Sequence, residues 1–322
     1  MSRPTHFRSQ FRSRTSGALA ACLISLCATT GCAQDTATTD TATTDAASPS
    51  AATQIVDVVV SAGWLADHID DPDLVILAVG RMPEDFAAGH IPGARFVGLD
   101  DIRGTRDGIP DQLADDAALV DVLEAAGVSD DSRIVVYGPP LEAARLFYTL
   151  EYVGLKRVSV LDGGLAAWLA HGGVVSTERA AASRGTISAE PNLSVSVDGD
   201  WVASRLDADG IALLDTRSPE EFAGIRLSRG TYRPGHIPGA TNLPWDGVLA
   251  SVQTPVLKEP TDLARLLADV GVAPGDTVVT YCRTGMRAAV VYLAARSLGY
   301  ETVLYDGSYL EWSARPELPV TR

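Results

Sequence analysis

The chain has 322 residues, with 41 acidic against 26 basic side chains and a formal net charge of −15 at pH 7. This length accommodates two domains that each bury a core of their own. The acidic balance excludes nucleic acids and anionic membrane surfaces as electrostatic partners, so any site for a small anion must depend on local donors and clustered arginines.

Residues 1–31 predict an export signal. A basic stretch from Arg3 to Arg14 precedes an apolar run over residues 17–27, which is too short to span a membrane. The small residues before Cys32 are similar to a bacterial lipoprotein cleavage site, where processing would leave Cys32 acylated. Ordinary signal cleavage after Ala33 is the alternative. We expect an exported, periplasmic protein and favour the membrane-anchored lipoprotein.

Residues 32–54 are rich in Thr, Asp and Ala and contain the unit Asp-Thr-Ala-Thr-Thr twice. Such a composition cannot bury a core and predicts a disordered tether. As a coil it would span about 25 to 30 Å, enough to hold a globular body away from a membrane. A disordered end without a function is the alternative.

The rest of the sequence repeats itself. Gly-His-Ile-Pro-Gly-Ala at 89–94 recurs at 235–240, and both copies follow a run of Pro, two acidic residues and Phe. Two tandem domains follow from this repeat. We place the first domain at 55–179, a linker at 180–193 and the second domain at 194–322.

Within each half, short apolar or β-branched runs alternate with helical stretches. This alternation predicts an α/β fold in which each domain has a parallel sheet flanked by helices. The predicted strands are Leu74–Leu77, Ile134–Val136 and Val158–Leu161 in the first half, and Ile211–Leu214, Val278–Tyr281 and Thr302–Leu304 in the second. The predicted helices are Asp115–Gly127, Glu142–Tyr152, Thr261–Val270 and Gly285–Leu298.

Cys282 is the candidate nucleophile. A predicted strand delivers it to a short loop containing Gly285, where a predicted helix begins. The loop amides, the positive end of the helix dipole and the charges of Arg283 and Arg287 all favour the thiolate form. A small buried apolar residue is the alternative. Because the other three cysteines lie within or next to the export signal, we expect Cys282 to be the only free thiol of the mature protein.

The first domain is predicted to be catalytically inactive. Gly138 occupies the position of the cysteine, and the loop at 139–143 has neither a thiol nor an arginine. His90 and His236 occur in both halves, so we assign them a packing or turn role rather than a catalytic one. Asp215 occurs only in the second half, and it either serves the site or caps and holds its loop.

Four motifs of the second half together are highly specific: Asp-Thr-Arg-Ser-Pro-Glu-Glu-Phe at 215–222, Gly-His-Ile-Pro-Gly-Ala at 235–240, Cys-Arg-Thr-Gly-Met-Arg at 282–287, and Tyr-Asp-Gly at 305–307. They resemble the tandem rhodaneses, a sulfurtransferase family, and the resemblance extends over most of the chain after the tether. It implies two similar α/β domains, an inactive first domain, and an active loop that faces the cleft between them.

By the same likeness, Cys282 would attack the outer sulfur of a donor, carry that sulfur as a persulfide, and pass it to cyanide or a thiol. The loop amides would cradle the persulfide while arginine side chains hold the anionic end of the donor. The predicted substrate-binding residues are Arg283, Thr284, Gly285, Met286 and Arg287 of the loop, together with Arg226 and Arg233 of an insertion that the first half lacks.

The identity of the donor depends on the loop. Arg283 favours thiosulfate, because relatives that act on 3-mercaptopyruvate usually carry glycine at this position. Glu221 stands where many two-domain members carry a substrate-binding arginine. An insertion at 224–233 brings three further arginines, which either line the mouth of the site or are solvated loop charges. The alternatives are a 3-mercaptopyruvate sulfurtransferase, or a persulfide relay module with little turnover of its own.

A phosphatase or arsenate reductase is the nearest rival class, since such proteins also place Cys and Arg in one loop. Four residues separate Cys282 from Arg287, one fewer than in the phosphatase pattern, which makes the loop narrower. Neither the cysteines nor the histidines have metal-ligand spacing. We therefore predict a thiosulfate sulfurtransferase that needs no metal and no cofactor.

Overall fold

The structure is a computed structural model that describes residues 57–181, 183–206, 208–251 and 256–322. These residues all belong to one compact unit, Gln54–Arg322. The predicted export signal, Cys32 and the predicted tether lie outside the described residues. Across the described ranges, no helix is both long and apolar enough to cross a membrane.

The first domain alternates strands and helices. Its strands are β1 (Val59–Val60), β2 (Leu74–Gly80), β3 (Arg95–Gly98), β4 (Arg103–Arg106), β5 (Ile109–Leu113), β6 (Arg133–Tyr137) and β7 (Val158–Leu161). Its helices are α1 (Ala62–His68), α2 (Pro83–Ala88), α3 (Asp116–Ala125), α4 (Pro140–Val153) and α5 (Gly164–Ala170), with a 3₁₀ turn at Leu99–Ile102. The parallel sheet has the order β1-β7-β6-β2-β3, and β4 and β5 form a separate antiparallel hairpin.

The second domain repeats this plan. Its strands are β8 (Ser196–Val197), β9 (Ile211–Asp215), β10 (Thr241–Asn242), β11 (Thr277–Tyr281) and β12 (Glu301–Tyr305). Its helices are α6 (Gly199–Ala203), α7 (Pro219–Phe222), α8 (Pro260–Asp269), α9 (Met286–Ser297) and α10 (Ser308–Ala314), with 3₁₀ turns at Leu193–Val195 and Trp245–Val248. The sheet order, β10-β9-β11-β12-β8, is that of the first domain, and its strands are all parallel.

The predicted α/β fold with parallel sheets flanked by helices is confirmed. Each predicted strand and helix lies within two or three residues of an observed one, because central parallel strands are buried on both faces and read as continuous apolar runs. The β4–β5 hairpin was not predicted. Its sequence is polar, with Asp107 and Gly108 at the turn in left-handed conformations (φ +50° and +79°), so it lacks an apolar strand signal.

Helices α4 and α9 form the contact between the two domains, and one apolar cluster extends through both. The rings of Tyr148 and Tyr292 meet edge to face with their centroids 5.4 Å apart. Glu151 accepts hydrogen bonds from the hydroxyl of Tyr292 at 2.6 Å and from Arg296 at 2.7 Å. Most residues of both helices are buried, so neither helix has a clear polar face in its sequence.

The two histidines of the repeated motif have the predicted packing role. The His90 ring stacks on Phe86 with centroids 3.9 Å apart, and the His236 ring stacks on Phe222 at 3.7 Å. Each Nδ1 also donates to the backbone carbonyl of the same phenylalanine at 2.9 Å. Because each domain makes the same contacts, each histidine stabilises the same turn in its own domain.

Candidate active site

Cys282 lies at the carboxyl edge of the second sheet, in the loop between β11 and α9. Open α/β sheets bind ligands at this edge. The residue is 1% exposed, and the loop ends at Gly285, whose φ is +83°. A Cβ atom at Gly285 would lie 2.6 Å from Arg145 Nη1 and 2.8 Å from Asp306 Oδ1, so only glycine fits there.

Ser308 anchors the thiol loop. The Cys282 amide donates to Ser308 Oγ at 3.2 Å, and that hydroxyl donates to the Tyr305 carbonyl at 2.8 Å. Ser308 has a φ of +52°, close to the +55° of Gly164 at the equivalent position of the first domain. A non-glycine residue in this conformation costs about 1 kcal/mol or more. The serine thus accepts backbone strain and supplies a hydrogen bond to the cysteine that glycine cannot.

The loop amides are available to an anion. In the described ranges, the N–H groups of residues 283 to 287 have no protein acceptor. Thr284 is buried, and α9, of 12 residues, adds the positive end of its dipole. This arrangement can stabilise negative charge on the sulfur of Cys282 or on a sulfur attached to it.

Arg287 lies in the first turn of α9 and forms an ion pair with the buried Glu221. The distances are 2.7 Å from Nη1 to Oε2 and 3.3 Å from Nη2 to Oε1. Although burial by itself raises the pKa of Glu221, hydrogen bonds from Arg287 and Ser228 lower it to about 2. Burial lowers the pKa of Arg287, but the hydrogen bonds with Glu221 and the interactions with the neighbouring Cys282 side chain raise it above its ordinary value. The Arg287 guanidinium therefore lies next to Cys282, and the Glu221 carboxylate balances its positive charge.

Arg283 points towards the first domain. Its Nη2 lies 3.3 Å from Asp111 Oδ2 in β5, and its Nη1 donates to the carbonyl of Arg229 at 3.4 Å. The active loop therefore contacts the other domain, as the family resemblance implied. The Arg229 side chain itself is exposed and has no partner in the described part of the chain.

Arg145 lies beneath the loop and was missed by the sequence analysis. It belongs to α4 of the first domain, is 0% exposed, and donates from Nη1 to Asp306 Oδ1 at 2.5 Å. Burial alone would lower the pKa of Arg145, but the charge of Asp306 and the hydrogen bond with it raise the pKa above its ordinary value. An arginine within the apolar run of a helix is a signal for a buried partner, although the sequence does not indicate which one.

Two of the predicted substrate-binding residues take other roles in the structure. Arg233 makes four hydrogen bonds, at 2.7 to 3.1 Å, to carbonyls of the C-terminal segment between Trp312 and Leu318. We therefore reassign it as a residue that holds this segment. Met286 packs against the apolar cluster, so only its backbone is available to an anion. Arg226 is largely exposed and donates to Ser218 Oγ at 2.8 Å, next to Glu221.

Asp215 holds its own loop. Its carboxylate is buried and pairs with Arg217, at 2.9 Å from Nε to Oδ1, and it also accepts from the Arg217 amide at 3.0 Å. The Arg217 guanidinium lies 3.9 Å from the centroid of the Tyr309 ring. Of the two alternatives left open by the sequence, the structure favours the loop-holding one.

The equivalent position in the first domain cannot hold a thiol. A Cβ atom at Gly138 would lie 2.3 Å from the carbonyl oxygen of Val79, so a cysteine would require the backbone to move. A cavity of about 490 Å³ remains beside it, but its lining includes the carboxylates of Asp85 and Glu142. Arg81 pairs with Glu142 at 2.9 Å and leaves this site with an excess of negative charge. The site therefore lacks both the nucleophile and the cationic surroundings.

Comparisons with known proteins agree with this geometry. The family model for the Rhodanese-like domain matches residues 61–171 and 198–315. The thiosulfate sulfurtransferase of Pseudomonas aeruginosa is 31% identical over 266 residues, covering 82% of this chain and 96% of the relative. The 3-mercaptopyruvate sulfurtransferase of Escherichia coli K12 is 32% identical over 276 residues, covering 81% and 96%. A putative thiosulfate sulfurtransferase of Mycobacterium tuberculosis is 35% identical over 286 residues, covering 82% and 97%.

Among solved structures, the anaerobic ergothioneine biosynthesis enzyme from Chlorobium limicola superimposes with a TM-score of 0.73. At 22% identity, covering 82% of this chain and 70% of that one, it shows a shared fold alone. The two family matches, the relatives of nearly full length and the thiol loop agree with one another. The chain belongs to the rhodanese family, as a sulfurtransferase with two tandem rhodanese-like domains.

Proposed function

We propose that this protein transfers the outer sulfur of thiosulfate to cyanide or a thiol through a persulfide on Cys282. The Cys282 thiolate attacks the outer sulfur, the sulfur–sulfur bond of thiosulfate breaks, and sulfite leaves with the electron pair. Cyanide or a thiolate then attacks the terminal sulfur of the persulfide, which regenerates the Cys282 thiolate and releases thiocyanate or a new persulfide. No general base is needed when the thiol is already ionised.

One observation supports this proposal above the others. The buried Cys282 lies beside loop amides that have no acceptor in the described residues, and three arginines, Arg145, Arg283 and Arg287, surround the same loop. Preorganised donors of this kind stabilise charge that develops on the transferred sulfur without reorganisation of water. They suit an anionic donor and an anionic intermediate.

The choice of thiosulfate rests on charge. Thiosulfate is a dianion and 3-mercaptopyruvate a monoanion at neutral pH, so a cationic loop favours thiosulfate. The backbone carbonyl of Arg229, whose side chain is exposed, accepts a hydrogen bond from Arg283, so a second arginine is next to Arg283 in the structure. The curated relatives include enzymes named for each donor, so the donor is a proposal of its own.

Turnover with each donor tests this proposal. We expect kcat/KM to be higher for thiosulfate than for 3-mercaptopyruvate. Arg283→Gln should lower kcat/KM for thiosulfate by about tenfold to a hundredfold, since hydrogen bonds to charged groups contribute about 1.5 to 3 kcal/mol. Arg265→Gln, at an exposed position on α8, is the matched control and should leave the rate unchanged. An Arg283→Gln enzyme with full activity on thiosulfate would remove the electrostatic basis for this donor.

The persulfide relay is the second candidate, because a carrier needs the same loop. A relay would form the persulfide with thiosulfate but discharge it slowly to cyanide. Single-turnover measurement of thiocyanate release separates the two functions. We expect the isolated persulfide to release thiocyanate about as fast as thiosulfate forms the persulfide; release far slower than formation would favour the relay.

We also propose that the protein is exported to the periplasm and anchored by a lipid on Cys32. The basic and apolar segments of residues 1–31 and the small residues before Cys32 support this proposal. The mass of the protein purified from the membrane fraction tests it, and should correspond to an acylated chain that begins at Cys32. Recovery of a soluble chain that begins after Ala33 would contradict the lipid anchor.

A further inference from the structure

The hairpin formed by β4 and β5 brings residues of the inactive domain to the thiol loop of the active one. Besides the contact between Asp111 and Arg283, the Leu113 amide donates to Asp306 Oδ2 at 2.7 Å. The Asp111 carbonyl also accepts from Arg145 Nη2 at 3.4 Å. The hairpin thus places one carboxylate, that of Asp111, against Arg283 of the thiol loop.

Each arginine that surrounds Cys282 has a carboxylate partner. The pairs are Arg145 with Asp306, Arg287 with Glu221, and Arg283 with Asp111. The charges of these six side chains cancel. Among these three arginines, an anionic donor therefore gains a cation without a bound carboxylate only if it displaces one of the three carboxylates.

The three pairs differ in how firmly the carboxylate is held. Asp306 pairs with a fully buried arginine at 2.5 Å and also accepts from a backbone amide. Glu221 is 6% exposed and is held by Arg287, Ser228 and the Ser218 amide. These two carboxylates are fixed by several buried partners.

Asp111 differs from both. It meets Arg283 in a single contact of 3.3 Å, and both side chains are 30% exposed. Its other carboxylate oxygen, Oδ1, lies 3.0 Å from Arg103 Nη1 on the neighbouring strand. Asp111 can therefore leave Arg283 and keep an ion pair within its own hairpin. Of the three contacts, the one between Asp111 and Arg283 is therefore the one that a donor anion can replace with the least loss of other partners.

We propose that Asp111 determines donor specificity by competing with the donor anion for Arg283. The donor binds by displacing the Asp111 carboxylate, which then stays with Arg103, and the displaced carboxylate repels a donor in proportion to its charge. Asp111 thereby weakens the binding of dianions more than that of monoanions. This inference rests on the proposed function, because it concerns the donor site of the same thiol.

The variant Asp111→Asn isolates the charge. Asp111 has a φ of +66°, a conformation that asparagine tolerates as well as aspartate, so the hairpin should keep its backbone. Asp107→Asn is the matched control: Asp107 lies at the turn of the same hairpin, also has a positive φ of +50°, and is exposed. It changes the net charge equally, away from Arg283. Asp111→Gly, which tolerates the same φ, is the second variant should the asparagine form fold poorly.

Inorganic sulfate is the probe, because it is an inert dianion. Its affinity is measured in the full chain by the concentration that halves the rate of Cys282 alkylation by iodoacetamide. We expect this concentration to fall about tenfold in Asp111→Asn and to stay within about twofold in Asp107→Asn. An unchanged value in Asp111→Asn, or an equal fall in Asp107→Asn, would overturn the inference.

The donor arm uses the mass gain of the persulfide at graded donor concentrations. The half-saturating concentration should fall about tenfold for thiosulfate and about threefold for 3-mercaptopyruvate in Asp111→Asn, following the ratio of donor charges. Equal falls for both donors would contradict the inference. If neither donor forms a persulfide, the proposed function fails, while the sulfate measurement still decides the role of Asp111.

Discussion

Treatment with thiosulfate will add about 32 Da, one sulfur atom, to the intact protein, and Cys282→Ser will abolish this gain together with all turnover. The other three cysteines precede residue 33 and lie outside the two domains, so no other thiol can carry the sulfur there. The hydroxyl of serine is not ionised at neutral pH and cannot replace the thiolate as nucleophile. Intact-mass measurement after gel filtration records the result.

The matching control is Cys32→Ser, which removes another cysteine without touching the domains. It should keep the full mass gain and full turnover. A wild-type protein that shows no added mass after treatment with either donor would contradict a persulfide mechanism. A Cys282→Ser protein that still gains one sulfur would place the carrier elsewhere.

Replacing Arg145 with methionine will lower the free energy of unfolding by about 3 to 5 kcal/mol. The change leaves Asp306 as a buried carboxylate at the interface of the domains, where only the Leu113 amide still donates to it. It also removes a cation beneath Gly285, so the persulfide should form more slowly. Chemical unfolding and the rate of mass gain measure the two effects.

The double variant Arg145→Met with Asp306→Asn distinguishes the loss of the ion pair from the effect of leaving Asp306 as an unpaired carboxylate. Because it removes both charges, it should recover much of the lost stability but none of the lost rate of persulfide formation. Arg184→Met, which removes the ion pairs of a half-exposed arginine with Asp121 and Glu124, is the surface control and should cost no more than about 1 kcal/mol. Arg145→Met with the stability of the wild type would show that the pair contributes nothing to the interface.

Much of the fold could be predicted because the same pattern of motifs, strands and helices occurs in both halves of the sequence. Apolar runs such as Ile134–Val136 and Val158–Leu161 form inner strands of the sheet that are buried on both faces. The corresponding strands of the second half are buried in the same way. The hairpin at Arg103–Leu113 escaped prediction since its residues are polar and its two strands do not belong to either sheet. What the repeat could not supply is the contact of one half with the other.

The candidate site divides in the same way. Cys282, Gly285 and the two arginines of the loop lie within six consecutive residues. Their spacing alone therefore predicts an activated thiol on an anion-binding loop. The role of Ser308 could not be predicted from local motifs, because its hydroxyl accepts a hydrogen bond from the Cys282 amide 26 residues away. Arg233 looked like a donor ligand because it is an arginine in an insertion, but carbonyls of the C-terminal segment use its guanidinium.

The tandem α/β plan, the identity of the thiol loop and the lack of a cysteine in the matching loop of the first domain follow from the amino-acid sequence alone, because periodicity and local motifs depend on neighbours along the chain. The electrostatics of the site follow only from the packing of the two domains. Arg145 and Asp306 are separated by 161 residues, and Asp111 and Arg283 by 172, yet each pair is in contact. The electrostatic effect of each arginine on the thiol depends on the carboxylate that packing places next to it. The charged groups around the thiol therefore come from the first domain as well as from the loop that bears the thiol.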